Sequence, residues 1–147
     1  MPIEVGTQAP DFTLKDQNNQ EVGLSRSLPA LLVFYPFAFT GICQGELAWL
    51  RDHQPLAAKV LTISADSVYA HKVWAEREGY DFPLLSDFWP HGEVARAYGV
   101  FNEKTGAANR GTFLVDRAGT IRFAAMNGPG EPRDPSVWDA ALASLRS

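Results

Sequence analysis

One cysteine stands among 147 residues. That excludes a disulfide within the chain and a zinc site built from several thiolates. Basic residues are also few, with 13 Lys and Arg against 17 Asp and Glu for a formal charge of -4. A nucleic-acid binder usually carries a basic excess or patch instead. Long apolar runs are missing too. The longest, Ala30–Ala38, is broken by Pro36 and is far shorter than the ~20 residues of a membrane helix. The opening Met1-Pro2-Ile3-Glu4-Val5-Gly6 has no basic stretch leading into an apolar one. No secretory signal is therefore expected, and the expected location is the cytoplasm, where thiols stay reduced. There is no Walker loop, dinucleotide fingerprint or metal motif, and no bound cofactor or metal is expected. His53, His71 and His91 share no ligand spacing with one another or with Cys43.

What is present fits one folded domain over residues 1–147. Hydrophobic residues make up 46% and charged ones 20%, which excludes disorder. The Pro/Gly-rich Asn127–Pro135 stretch lies too near the C-terminus to divide two domains. Phe12-Thr13-Leu14 and Glu21-Val22 flank the turn-forming Asp16-Gln17-Asn18-Asn19, predicting an N-terminal hairpin. Ala30–Tyr35 lacks polar residues on either face and predicts a fully buried strand. A helix is expected from Thr40 or Gly41, fading before Pro55. Lys59–Ser64 predicts a second strand. Asp66 or Ser67 can cap a helix that runs to Glu78 and stops at Gly79. Phe82–Leu85 should be extended, and Glu93–Tyr98 a short helix ended by Gly99. Gly111–Val115 and Thr120–Ala125 flank Asp116-Arg117-Ala118-Gly119 and predict a hairpin. Asp134 and Pro135 should start a last helix with Trp138, Ala141, Leu142 and Leu145 on one face. Together these predict an α/β fold with a mixed sheet, parallel in its early strands and antiparallel at its late edge.

Cys43 stands where chemistry is expected. It falls in the first turn of a helix that follows a buried strand and a Pro-ended loop, Pro36-Phe37-Ala38-Phe39-Thr40-Gly41-Ile42. Ligands in open α/β sheets bind at the carboxyl ends of strands. A helix start presents unpaired N–H groups and a positive dipole end, which favour a thiolate. Against this stands the ordinary fate of a lone cysteine, a small buried hydrophobe. Thr40, three residues earlier, can place a hydroxyl beside the sulfur, and Pro36 fixes the exit from the strand. Arg110, at a strand start, and Glu46, at a helical position, are by themselves ordinary solvated residues. Trp74 reads as core. His91 as a base beside Cys43, in the manner of a cysteine hydrolase, lacks a recognisable acidic or amide third member.

The spacing Pro36-x-x-x-Thr40-x-x-Cys43 resembles the Pro-x-x-x-Thr-x-x-Cys motif of the peroxiredoxins. Three further segments resemble that family in order: Ala9-Pro10-Asp11-Phe12, Phe82-Pro83-Leu84-Leu85-Ser86-Asp87 and Arg110-Gly111-Thr112-Phe113-Leu114-Val115-Asp116. The strings Ala38–Leu47 and Ser86–Gly92 are most similar to its one-cysteine alkyl hydroperoxide reductase E group. The resemblance implies a thioredoxin-like fold, a central mixed sheet flanked by helices with an N-terminal hairpin. It implies a thiol-dependent peroxidase acting on hydrogen peroxide, organic (fatty-acid) hydroperoxides and peroxynitrite. Cys43 would be the peroxidatic nucleophile, passing through a sulfenic acid. Thr40, Arg110 and Pro36 would complete the catalytic set, and Glu46 would orient it from behind.

Lacking a second cysteine, such an enzyme must be recycled by an external thiol. The resemblance implies mycothiol with a mycoredoxin, or a thioredoxin system. It also implies a homodimer formed through the active-site loop, with Phe88-Trp89-Pro90 nearby. Phe37 and Phe39 then have three open roles, as core, substrate mouth or interface. A peroxide-sensing regulatory module with slow turnover is the competing function, and an inert thioredoxin-like scaffold is a third.

Overall fold

The structure is a computed structural model that describes residues 2–53 and 57–146. Its elements are β1 (Thr13–Lys15), β2 (Glu21–Gly23), β3 (Ala30–Phe34), α1 (Gly41–His53), β4 (Lys59–Ser64), α2 (Val68–Glu78), β5 (Leu84–Ser86), α3 (Glu93–Ala97), β6 (Phe101–Asn102), β7 (Ala107–Ala108), β8 (Arg110–Val115), β9 (Ile121–Asn127) and α4 (Ser136–Ala143). Pro55, expected just beyond the end of α1, lies outside the described residues.

Among the described residues, seven strands form one sheet in the order β2-β1-β5-β4-β3-β8-β9. The centre is parallel, β3 with β4 and β4 with β5, because α1 and α2 carry the chain back between successive strands. The flanks are antiparallel, through the β1–β2 and β8–β9 hairpins. This is the mixed α/β sheet that the strand and helix pattern predicts. The N-terminal hairpin joins the sheet by pairing β1 with β5. The short β6–β7 hairpin has no counterpart in the sequence reading, since two-residue strands show no alternation.

β3 is buried at every position. Ala30, Leu32 and Phe34 enter one core with Phe12, Ile63, Tyr98 and Phe113. Leu31, Val33 and Tyr35 enter the other with Leu47 and Leu50 of α1, Trp74 of α2 and Trp138 of α4. Trp74 is therefore core, as expected. Ser67 alone caps α2, accepting the Ala70 N–H at 3.1 Å. Gly79 ends that helix with φ of 73°, a conformation glycine enters without steric cost. Ahead of α4, Asp134 accepts the Ser136 N–H at 2.9 Å.

Two features of this framework place the site. The chain leaves β3 through Tyr35 and Pro36 and re-enters order in the first turn of α1. The antiparallel register Val33↔Thr112 then sets Arg110, two residues earlier on β8, beside that exit. Residues far apart in sequence meet there because β8 runs back along β3.

A buried polar chain fastens α2 to the sheet. His71 Nε2 lies 2.7 Å from Ser64 Oγ and 3.1 Å from Tyr35 Oη. Burial pushes the His71 imidazole down to about 4, against the opposing pull of Asp66. A histidine held neutral in this way stabilises the fold fully above its unfolded value of ~6.5, and the contribution is lost as pH falls through the folded value. The expected outcome is that the stability advantage of the native chain over a His71→Gln variant shrinks by roughly 2–3 kcal/mol between pH 7 and pH 4.5. Urea unfolding at the two pH values measures this, and a gap that does not change would refute it.

Candidate active site

Cys43 is the third residue of α1 and is fully buried. Its place follows from the helix start. The first bond into the helix runs from Gln44 N to the Thr40 carbonyl at 2.8 Å. The N–H groups of Gly41, Ile42 and Cys43 precede that bond, at the positive end of the helix dipole.

Arg110 reaches the sulfur from β8. Its Nη1 donates to Cys43 Sγ at 3.3 Å and to Glu46 Oε1 at 2.5 Å. Its Nε and Nη2 both donate to the Pro129 carbonyl, at 3.1 and 2.9 Å. Four of the five guanidinium hydrogens are thereby assigned, and one Nη2 hydrogen is left for a further acceptor. Arg110 is 3% exposed, so it is no solvated strand-end residue.

Glu46 is buried as well. It accepts from Arg110 and, through Oε1 at 2.7 Å and Oε2 at 2.9 Å, from Nη1 and the backbone N–H of Arg133. Arg133 is held further by Thr112 Oγ1 at 2.7 Å, by the Gly111 carbonyl at 2.9 Å and by the Phe34 carbonyl. Burial draws its guanidinium down to about 10, with Glu46 pulling the other way. It remains charged at neutral pH. Two arginines and one carboxylate sum to a single positive charge, and a thiolate at Cys43 brings the buried group to neutrality.

Nothing in the sequence pattern singles out Arg133 or Pro129, whose Pro/Gly-rich stretch reads only as a connection ahead of the last helix. The nearest thing to a signal is an arginine among prolines and glycines just before a helix cap.

Thr40 sits at the head of α1, and its hydroxyl turns back into the loop. Oγ1 donates to the Phe37 carbonyl at 2.8 Å, which spends its hydrogen within the loop and leaves its lone pairs as acceptors. Pro36 is buried. With Phe37, Thr40, Gly41, Ile42, Arg110 and Pro129 it lines an open cavity of about 250 Å³ that Arg110 reaches. Phe37 is half exposed at this mouth. Phe39 is equally exposed but turns toward α2, its ring 5.9 Å from Trp74. His91 lies elsewhere, its Nε2 2.6 Å from the Gly106 carbonyl. Among the described residues no group of three His, Cys, Asp or Glu side chains is placed to hold a metal.

A sulfur at a helix start, touched by an arginine that a buried carboxylate orients, is an arrangement for thiol chemistry. Residues 5–124 match the AhpC/TSA family. The chain belongs to the peroxiredoxins. It is 58% identical over 150 residues to alkyl hydroperoxide reductase E of Mycobacterium tuberculosis, covering 97% of this chain and 98% of that one. Its fold is similar to that of peroxidoxin BcpB from Mycobacterium tuberculosis, at 32% identity and a TM-score of 0.84, over 98% and 97% of the two chains. It is similar too to Enterococcus faecalis AhpC, at 30% identity and a TM-score of 0.85, over 97% and 92%. The thioredoxin-like peroxiredoxin fold is thus established, and with it a thiol-dependent peroxidase. Peroxiredoxins use no prosthetic group and take electrons from thiol reductants. With its single cysteine this peroxiredoxin is of the one-cysteine kind.

Glu46→Ala would leave two guanidinium groups buried side by side without their shared acceptor. Removing one partner from a buried charge network costs about 3–5 kcal/mol. The variant is expected to lose stability on that scale in urea unfolding at pH 7. A loss below about 1 kcal/mol would mean that the network does not hold this end of the sheet together.

Proposed function

We propose that this peroxiredoxin reduces hydrogen peroxide, fatty-acid hydroperoxides and peroxynitrite through a sulfenic acid at Cys43. The observation that carries the reading is the 3.3 Å contact between Arg110 Nη1 and Cys43 Sγ. The thiolate attacks the terminal peroxide oxygen. A sulfur–oxygen bond forms, the O–O bond breaks, and the sulfur gives up two electrons. The other oxygen departs as hydroxide or alkoxide and takes up the proton that the Cys43 thiol released on becoming a thiolate, giving water or an alcohol, whereas peroxynitrous acid expels nitrite; in each case the sulfur is left as sulfenic acid.

Charge moves from sulfur to the departing oxygen in this step, so donors already aimed there contribute most. Arg110 supplies one, with its remaining Nη2 hydrogen for the peroxide, and the Cys43 N–H supplies another. Thr40 Oγ1 accepts the peroxide hydrogen. Pro36 screens the sulfur from water. Glu46, and behind it Arg133, hold the Arg110 fork in place.

An external thiol then condenses with the sulfenic acid, releasing water and forming a mixed disulfide. A second thiol opens that disulfide and restores Cys43. Mycothiol with a mycoredoxin, or a thioredoxin, is the proposed electron source. The chain acts as one domain in the cytoplasm and pairs as a homodimer. The exposed Phe88 and Trp89 and the outward side of Phe39 supply apolar surface for that contact. Phe37 belongs to the substrate mouth.

Stopped-flow mixing of the reduced protein with hydrogen peroxide and with a fatty-acid hydroperoxide tests the reading. The native chain should react far faster than a free small thiol at pH 7, and Cys43→Ser should not react at all. Arg110→Ala should slow the peroxide step by about 10²-fold, the usual cost of losing one preorganised donor. An Arg110→Ala rate equal to that of the native chain would remove the arginine from the chemistry.

A further inference from the structure

A second constellation lies behind the active-site loop, and the peroxide step does not use it directly. Asp66 stands between β4 and α2 yet leaves the capping of α2 to Ser67. Its Oδ2 instead accepts two hydrogens, from the backbone N–H of Ala38 at 2.8 Å and from Ser64 Oγ at 2.6 Å. Ser86 Oγ donates to the Asp66 carbonyl at 2.6 Å and steadies its backbone. Because the single hydroxyl hydrogen of Ser64 goes to the carboxylate, its 2.7 Å contact with His71 requires Nε2 to donate. Tyr35 Oη, 3.1 Å from the same nitrogen, closes the set. Tyr35 immediately precedes Pro36, so the network grips the loop at its root and again at Ala38.

The loop needs that grip. Phe39, the residue after Ala38, has φ of +66°. A residue with a Cβ pays roughly 1–2 kcal/mol to enter the left-handed region and stays there only when its surroundings overdetermine it. The turn at Phe39 directs Thr40 to the head of α1 and so sets where Thr40 Oγ1 and the Cys43 N–H point.

We propose that Asp66 is a positioning residue for peroxide reduction, holding the Pro36–Thr40 loop in its reactive shape through the Ala38 N–H, with Ser64, His71 and Tyr35 holding Asp66. The proposal rests on the peroxidase reading above. One oxygen takes both hydrogen bonds, so the requirement is for an acceptor and not for a negative charge. Asparagine at position 66 can supply the same oxygen, whereas alanine cannot.

The test uses the reduced native chain with Asp66→Ala, Asp66→Asn and Ser64→Ala, and each protein is measured in two reactions near pH 7. Stopped-flow mixing with hydrogen peroxide reports the organised site, and alkylation by iodoacetamide reports the reactivity of the thiol alone. Asp66→Ala is expected to slow the peroxide step by about tenfold or more, while alkylation falls by no more than about threefold. Asp66→Asn should return the peroxide rate to within about threefold of the native value. Ser64→Ala keeps the carboxylate but frees it from its tether. It should slow the peroxide step by about three- to tenfold, and it stands in if Asp66→Ala does not fold.

Three results would overturn the proposal. The first is a peroxide rate in Asp66→Ala, or in Ser64→Ala where it stands in, within about threefold of native. The second is an equal loss in both reactions, and the third is an Asp66→Asn variant as slow as Asp66→Ala. A native chain no faster than a free thiol would remove the peroxidase reading and this one together. A fast native chain beside an equally fast Asp66→Ala would remove this one alone.

Discussion

Glu46 is the constraint on which the site depends. A carboxylate buried on the inner side of α1 is tolerable only with cationic partners and hydrogen bonds for both oxygens. Arg110 comes from β8, and Arg133 from the segment before α4. Each arginine is itself too buried to stand without the carboxylate. The three groups therefore tie one helix, one strand and the C-terminal segment to a single point. Cys43 lies one turn before Glu46 on the same helix, so whatever fixes Glu46 fixes the sulfur against Arg110. Packing alone would not do this, since leucines slide by fractions of an ångström at little cost. A bidentate and largely saturated hydrogen-bond set does not.

Much of the framework was legible because its signals are local. The apolar run of β3, the Ser67 cap and the Gly79 stop of α2, and the turn at Asp116–Gly119 each carry their cause within a few residues. Cys43, Thr40 and Pro36 were legible for the same reason. Arg110 became visible only through the likeness of its strand to a known family, because nothing within β8 distinguishes a buried arginine from a surface one. Arg133 was not legible. Its acceptors are Phe34, Gly111, Thr112 and Glu46, four positions that meet only when β3 and β8 pair in register. The acceptor of the Thr40 hydroxyl, the Phe37 carbonyl, was not legible either. It depends on the turn at Phe39, and an aromatic residue gives no notice that it will adopt a positive φ.

The loop and the helix are held by two different kinds of device. Buried charge holds the helix side, through Glu46 and its arginines. The loop side is held by a chain from His71 through Ser64 and Asp66 to the Ala38 N–H, in which burial keeps the imidazole neutral. The sulfur lies where the two meet. A fault on the helix side would misplace the cation, and a fault on the loop side would misplace the acceptor and the backbone donor.

That division bears on the second half of the proposed cycle. Cys43 is fully buried, yet an external thiol must reach it. Its charge changes before that encounter. As a thiolate the sulfur completes a neutral group with Glu46, Arg110 and Arg133. As a sulfenic acid it is neutral itself, and the same group regains one uncompensated positive charge. The attraction between Arg110 and the sulfur then weakens, although the Glu46 bridges remain. In the proposed cycle the interaction that oxidation would loosen is the one between the first turn of α1 and β8. The framework behind it, saturated by hydrogen bonds that do not involve the sulfur, has no reason to move. Exposure to the reductant in the proposed cycle would therefore begin at the first turn of α1 and leave Arg133 and the sheet in place.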